Sequence, residues 1–185
     1  NAQAEELPSG DHVLVNGKVK LNPYNFNNKL VTKNDIENIL KRYGVFQNIT
    51  NLELYQEAFT HESYCRVYVS EIMDKDNVQL IKKPEAALEL KQYSNERLEF
   101  LGDSIVGAVI AKYLFERFPN ENEGFLSKMR TKLVRMSALA HLCRVLKMEP
   151  YLIMSRHTED VCGGRVKDRY LEDMFEAFIG AIFLD

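Results

Sequence analysis

The chain is 185 residues long, with 45% hydrophobic and 28% charged residues and a formal net charge of −3. That length carries one domain with a sizeable core, or one domain and an appendage, and the composition is that of a globular protein. No apolar run approaches the roughly 20 residues of a membrane-spanning helix, Asn1 to Gly10 is too polar and acidic for a secretory leader, and three cysteines without a C-x-x-C pair argue against a disulfide framework or zinc site and for an intracellular setting.

Residues 1–31 hold Pro8, Gly10, Gly17 and Pro23, an Asn-rich patch from Asn22 to Asn28, and one strand-like stretch from His12 to Val15. They read as an N-terminal extension with a hairpin turn at Asn16-Gly17. Thr32 followed by Asp35 is a capping-box start, and Ile36, Ile39, Leu40 and Tyr43 give a helical stripe that Gly44 stops. A short helix is expected over Leu52 to Phe59. Residues 66–93 mix Ile72 and Met73, Val78 to Ile81 and Pro84, and read as an insertion with partial helix. Asn95 to Phe118 is a long helical pattern ended by Pro119. Asn122 to Leu146 is expected to be another, with Phe125, Met129, Leu133, Met136, Leu139 and Leu142 on its stripe. A last helix runs from about Val166 to the end. No stretch keeps period two for long and no repeat is present, so the fold class is all-α.

A negative total argues weakly against a nucleic-acid partner, because neutralised phosphates favour basic surfaces. The distribution matters more. Acids crowd Glu85 to Asp103, whereas Lys128, Arg130, Lys132, Arg135, Arg144 and Lys147 gather later. Glu99 and Asp103 stand four apart, about 40° around a helix axis, and their face continues into Val106 and Ile110. Asp173 and Glu176 stand three apart on a face that carries the small residues Ala177 and Gly180. Carboxylates on apolar stripes need a compensating cation. Should the two helices meet, a quartet of hard oxygen ligands would suit Mg²⁺ or Mn²⁺ and phosphodiester hydrolysis. Acids at these spacings also occur on solvated faces or paired with bases, and spacing alone leaves both readings open.

The string from Asn95 to Ser104, NERLEFLGDS, resembles the signature of the ribonuclease III nucleases. Phe59 to Ser63 is similar to that family's upstream T-H-x-S element, Glu123 to Arg130 to its E-G-x-L-S-x-x-R segment, and Asp173 to Asp185 to its closing D-x-x-E-A-x-x-G-A-x-x-L-D helix. The resemblance runs from about Lys33 to Asp185. It implies the ribonuclease III endonuclease-domain helical fold over 32–185, with residues 66–93 inserted, and no double-stranded-RNA-binding domain within this chain. It also implies cleavage of double-stranded RNA to 5′-phosphates and short 3′ overhangs by a homodimer that uses Mg²⁺, with Mn²⁺ as a substitute. An accessory RNA-binding domain or protein is a further expected partner. By the same resemblance the catalytic metal ligands are Glu99, Asp103, Asp173 and Glu176, the last the most direct. Glu96 and Glu123 support the site and dimer, and Phe125 falls where the family has a dimer-contact hydrophobe, although core packing is an equal reading. A non-cleaving relative serving as an RNA-binding or dimerisation module, or a helical scaffold, is the competing expectation.

Lys128 and Arg130 are candidates for the RNA backbone, as are Arg165, Lys167 and Arg169, which precede the last acids. For Lys128, Arg130, Lys132 and Arg135 a solvated helix face is an equal reading. His61 reads as a structural hydrogen-bonding residue rather than a general base. His12, His141 and His157 lack metal-ligand spacing, and Cys65, Cys143 and Cys162 carry no nucleophile signature.

Overall fold

A computed structural model describes residues 10–185; the first part of the N-terminal extension, with Pro8, lies outside the described residues. Elements follow in the order β1 (His12–Val15), β2 (Lys18–Leu21), α1 (Lys33–Lys41), α2 (Leu52–Ala58), α3 (Arg66–Asp76), β3 (Gln79–Leu80), α4 (Glu96–Arg117), α5 (Glu123–Leu133), α6 (Met136–Val145), α7 (Arg156–Asp160) and α8 (Asp168–Leu184). The protein is mostly helical, with short 3₁₀ turns at Glu62–Tyr64, Glu149–Tyr151 and Gly164–Val166. No helix among the described residues is long and apolar enough to cross a membrane.

The local signals act as chemistry requires. Thr32 Oγ1 accepts from the Asp35 amide at 3.2 Å while Asp35 accepts from the Thr32 amide at 3.0 Å, which satisfies two otherwise orphaned donors at the start of α1. Asn16 and Gly17 both have positive φ, 52° and 73°, as a two-residue hairpin turn demands. That turn joins β1 and β2 in antiparallel register, His12 opposite Leu21.

The sheet is a departure from an otherwise helical reading. β3, from residues 66–93, pairs in parallel with β2, Lys20 beside Gln79 and Leu21 beside Leu80. The segments read as separate extension and insertion thus share one sheet and one apolar cluster, built on Leu21, Tyr24, Tyr64, Val69, Ala87, Leu90 and Ile153. The Asn-rich patch has a role too. Asn25 and Asn28 side chains donate to Met154 O at 3.2 and 2.9 Å, and Asn28 Oδ1 accepts from the Met154 amide, pinning the buried 152–155 segment.

The principal core surrounds α8, whose Leu171, Met174, Phe175, Ala177, Phe178 and Ala181 are buried against α4, α6 and α2. Phe178 meets Tyr55 and Phe59 edge to face, each with ring centres 5.8 Å apart. At the far end Asp185 accepts from the Asn51 amide at 2.7 Å and from Tyr55 Oη at 3.1 Å, tying α8 to the start of α2. The single helix expected over Asn122 to Leu146 is two. The chain breaks at Val134 and Arg135, where Arg135 is extended (φ −68°, ψ 150°). The cause is tertiary: α5 lies along α4, whereas α6 lies along α8, and one straight rod cannot follow both. The expected stripe shifts accordingly. Leu139, Ala140 and Cys143 are buried, while Met136 and Leu142 are exposed.

The closest approach in the fold is α4 against α8. A Cβ on Gly102 would stand 1.8 Å from the Glu176 carbonyl oxygen, and one on Gly180 would stand 2.4 Å from that of Leu98. Both neighbours are backbone and cannot swing aside. Gly102→Ala should therefore destabilise the protein by about 1–3 kcal/mol or more. Gly107→Ala, on the same helix in open space, should stabilise it by about 0.5–1 kcal/mol through helix propensity. Urea unfolding of the two variants checks this contrast of sign.

Candidate active site

Glu99 and Asp103 sit on either side of Gly102 on α4, and Asp173 and Glu176 precede Gly180 on α8, so the glycine crossing sets the two acid pairs against one another. Glu176 is buried, 7% exposed. Glu99 and Asp173 are half-buried, and Asp103 is exposed. Glu172, four residues before Glu176, joins them. Among the described residues none of these acids takes a hydrogen bond or an ion pair, unlike Asp35, Asp168 or Asp185, each of which has a donor.

The electrostatics record how close they are. Burial pushes the Glu176 carboxyl up to about 8, and the charges of Asp103, Glu172, Glu99 and Asp173 add to it. Burial likewise raises Asp173 to about 6, with Arg169 opposing and Glu172, Glu62 and Glu96 reinforcing. Burial and then Asp173 and Glu96 raise Glu99; burial, Glu99 and Asp103 raise Glu172. These are like charges held together in a poorly hydrated place, the situation that a bound cation relieves. The donor set fits a hard divalent ion: carboxylate oxygens with no competing protein partner, one of them buried. The acids share a field without forming a finished cage: among the described residues no three Asp, Glu, His or Cys side chains are gathered as a ready ligand group.

Beside the acids opens a cleft of about 480 Å³, lined among others by His61, Tyr68, Asn95, His157, Lys167, Arg169 and Tyr170 together with Glu96, Glu99 and Asp173. Lys167 and Arg169 thus both line this cleft, Lys167 Nζ lying 4.8 Å from the centre of the Tyr170 ring. Arg165, read from the sequence as their companion, does not. Its guanidinium donates to Asn28 Oδ1 at 3.0 Å and Leu152 O at 2.9 Å and pairs with Glu159, so it is committed to the fold. Lys128 and Arg130 are exposed on α5, away from the cleft, and Arg130 lines a separate groove.

The T-H-x-S residues hold the cleft wall. His61 N donates to Ile153 O at 2.9 Å, and Ser63 Oγ accepts from the Ser155 amide at 3.0 Å. That leaves the Ser63 hydroxyl proton for His61 Nδ1, 2.9 Å away, which also accepts from the Ser63 amide. The imidazole therefore carries its proton on Nε2, and burial, pushing its pKa down to about 4, keeps it neutral. Glu96 joins the site through its field on Glu99, Asp173 and His61. Glu123 does not; its Oε1 accepts from Ser127 at the exposed start of α5. Phe125 is half-buried against Phe118, ring centres 5.3 Å apart. His12 pairs with Asp76 at 3.1 Å and serves the sheet module.

Sequence spacing missed Glu172, Tyr68, Asn95 and Tyr170. Glu172 had a signal, being four residues before Glu176 on the same helix. Tyr68 had none, because only the packing of α3 brings it there.

A family model described as the ribonuclease III domain matches residues 96–185, which carry α4 to α8. The nuclease domain of ribonuclease III from Campylobacter jejuni is 32% identical, with 82% of each chain covered and a TM-score of 0.59. The chain belongs to the ribonuclease III family. Among curated relatives, a probable ribonuclease 3 of Acanthamoeba polyphaga mimivirus is 33% identical over 92% of this chain and 31% of its own length. The ribonuclease 3 of Streptococcus uberis is 47% identical over 71% of this chain and 49% of its own. The chain thus spans about half, or less, of the curated relatives it matches. In this ribonuclease III-family domain the signature string occupies the start of α4 and the closing motif occupies α8, so the two most specific stretches are the two helices that cross at glycine.

The raised carboxyls predict a pH dependence. Glu176 and Asp173 hold protons to higher pH in the fold than in the unfolded chain, where carboxyls titrate near 4. Their contribution to metal-free stability is full below about pH 4, is lost as pH rises, and stops falling beyond about pH 8. Thermal melts with EDTA and with Mg²⁺ should show a larger metal-induced rise at pH 9 than at pH 5, and Glu176→Gln should shrink that difference. An equal rise at both pH values would contradict it.

Proposed function

We propose that this chain is the catalytic domain of a divalent-metal-dependent endonuclease that cuts double-stranded RNA and leaves 5′-phosphates and short 3′ overhangs. One observation carries the reading: buried Glu176, whose carboxyl has no hydrogen bond or ion pair among the described residues, lies within the field of Asp103, Glu172, Glu99 and Asp173 at the α4–α8 crossing. Glu99, Asp103, Asp173 and Glu176 are the residues that would hold Mg²⁺, with Mn²⁺ the alternative of similar chemistry. Such an ion supplies Lewis-acid charge at a phosphate oxygen and a bound water of lowered pKa. The chain's own groups do the placing. Lys167 and Arg169 take the RNA backbone beside the acids, and the packed backbones of α4 and α8 keep the carboxylates from relaxing apart.

The working unit in this reading is a homodimer. α4 exposes Phe100 (79%) and Phe115 (71%), which lie within about 60° of each other around the helix axis and form apolar surface that a second copy would cover. Ala111, Leu114, Phe115 and Leu126 line a groove of about 210 Å³ between α4 and α5 that would receive an apolar side chain. A two-fold pair matches the antiparallel strands of its substrate, one site to each. A second Campylobacter jejuni ribonuclease III nuclease-domain structure concerns a region involved in that protein's dimer formation. An accessory RNA-binding domain or protein is a further partner, and buried free Cys65 and Cys143 suit a reducing, intracellular compartment.

With Mg²⁺ the chain should cut a perfect RNA duplex. Glu176→Gln should lose more than about 100-fold in rate, beyond the usual effect of disturbing an outer-shell partner, while keeping duplex affinity within a few-fold. A variant cutting at the wild-type rate would remove Glu176 from the reaction, and a wild type that binds duplex without cutting it would make this a binding module. Calcium should bind but support little turnover, because its shell is larger and looser. For the dimer, Phe115→Glu should shift the sedimentation coefficient from dimer to monomer; a wild type already monomeric at tens of micromolar contradicts the assembly.

A further inference from the structure

The cleft beside the acids contains a polar group that the fold does not use. Asn95 is only 3% exposed. It precedes α4 but does not cap it: its backbone is already helical (φ −72°, ψ −10°) and its side chain makes no capping hydrogen bond. Among the described residues its carboxamide has no hydrogen-bond partner at all, although its main chain is fully engaged, donating to Thr60 O at 2.8 Å and accepting from the Glu99 amide at 2.8 Å. It lines the cleft that also holds Glu99 and Asp173. Its polar atoms are not sealed from solvent, so at the cleft they are open to pairing with water or with a ligand.

His61 repeats the pattern. Nδ1 is taken twice by Ser63, so the Nε2–H is a donor, and it too has no partner among the described residues while its ring lines the same cleft. The ring edge rests on Tyr170, centres 4.7 Å apart, which fixes its orientation. Two rigidly placed hydrogen-bonding groups, one donor-and-acceptor and one donor, therefore share one cavity with Lys167 and Arg169.

We propose that Asn95, with His61 beside it, forms a subsite for the ribose of a nucleotide flanking the cleaved linkage, with Asn95 pairing to its 2′-hydroxyl. This deepens the function proposed above and rests on it. The chemistry selects the ribose over the base. In a duplex the base edges are paired and the deep major groove of A-form RNA is closed to side chains, so a cleft next to the scissile phosphate meets sugar and phosphate. A 2′-hydroxyl both donates and accepts, as a carboxamide does. Lys167 and Arg169 on the cleft rim take the adjoining phosphates. Asn95 thereby becomes a residue that distinguishes RNA from DNA at the cut.

The test couples protein and substrate changes. Wild type, Asn95→Ala and Asn95→Ser are compared on an all-ribose duplex and on duplexes with a single 2′-deoxy nucleotide on either side of the cleaved linkage; serine keeps a small polar group at the cleft wall that is too short to reach as the carboxamide does. In wild type one of the two deoxy positions should slow cleavage by about tenfold, the weight of one hydrogen bond. Both variants should cut the all-ribose duplex about tenfold more slowly and be indifferent to deoxy substitution at that position. The same coupling should appear in duplex affinity measured in the Glu176→Gln background, which reads binding without turnover. A deoxy penalty equal in wild type and variants, or absent from wild type at both positions, overturns the subsite. A wild type that does not cut RNA at all overturns the endonuclease reading instead.

Discussion

The structure turns on how closely two helices can approach. α4 and α8 touch backbone to backbone because Gly102 and Gly180 present no Cβ at the contact. Any larger residue there would separate them, and with them the acids they carry. That approach brings carboxylates into a shared field, and among the described residues none of them has an ion pair. Arg169 is the nearest basic influence, and it acts on Asp173 and Glu99 without an ion pair to either. The surrounding core holds that arrangement in place. Phe178 locked between Tyr55 and Phe59 and Asp185 tied to Asn51 prevent α8 from sliding.

Around this crossing the rest of the chain builds walls. The hairpin and β3 form a satellite module whose apolar cluster includes Tyr64 and Ile153, both in segments that lead into the cleft. Asn25 and Asn28 grip Met154, Arg165 grips Leu152, and Asp11 accepts from the His157 amide at 2.8 Å. The N-terminal segment thus has a mechanical purpose: it fixes the 152–158 stretch against which His61 and Ser63 are hydrogen-bonded. α3, from the segment that reads as an insertion, contributes Tyr68 to the same cavity. Additions that look peripheral in the chain are lining in the fold.

Not every charge near the site faces it. Arg165, Lys167 and Arg169 alternate along one short segment and look equivalent as a basic run. The 3₁₀ turn at Gly164–Val166 directs Arg165 inward to carbonyl oxygens and Glu159, and leaves Lys167 and Arg169 at the cleft. A positive side chain can meet a phosphate only if the fold has not already spent it on its own acceptors.

Local chemistry was legible without coordinates: the Thr32–Asp35 cap, the Asn16–Gly17 turn, the span of α4, and the pairing of Glu99 with Asp103 and of Asp173 with Glu176 all follow from interactions within a few residues, where helix and turn geometry dictate distance. So did the family, through strings long enough to be specific. What needed the tertiary structure was everything set by contact between distant segments. The break at Val134 and Arg135 arises because α5 and α6 follow different neighbours. β3 pairs with β2 across α1, α2 and α3, and a two-residue strand has no periodicity to reveal it. Glu176 is buried while Asp103 is exposed, although both lie on similar stripes, because only the packed neighbour decides which side of a helix meets water. The sequence by itself determined which side chains neighbour one another on a helix; the approach of α4 to α8 decided that the two pairs share one field, since burial and charge repulsion exist only between surfaces already brought into contact.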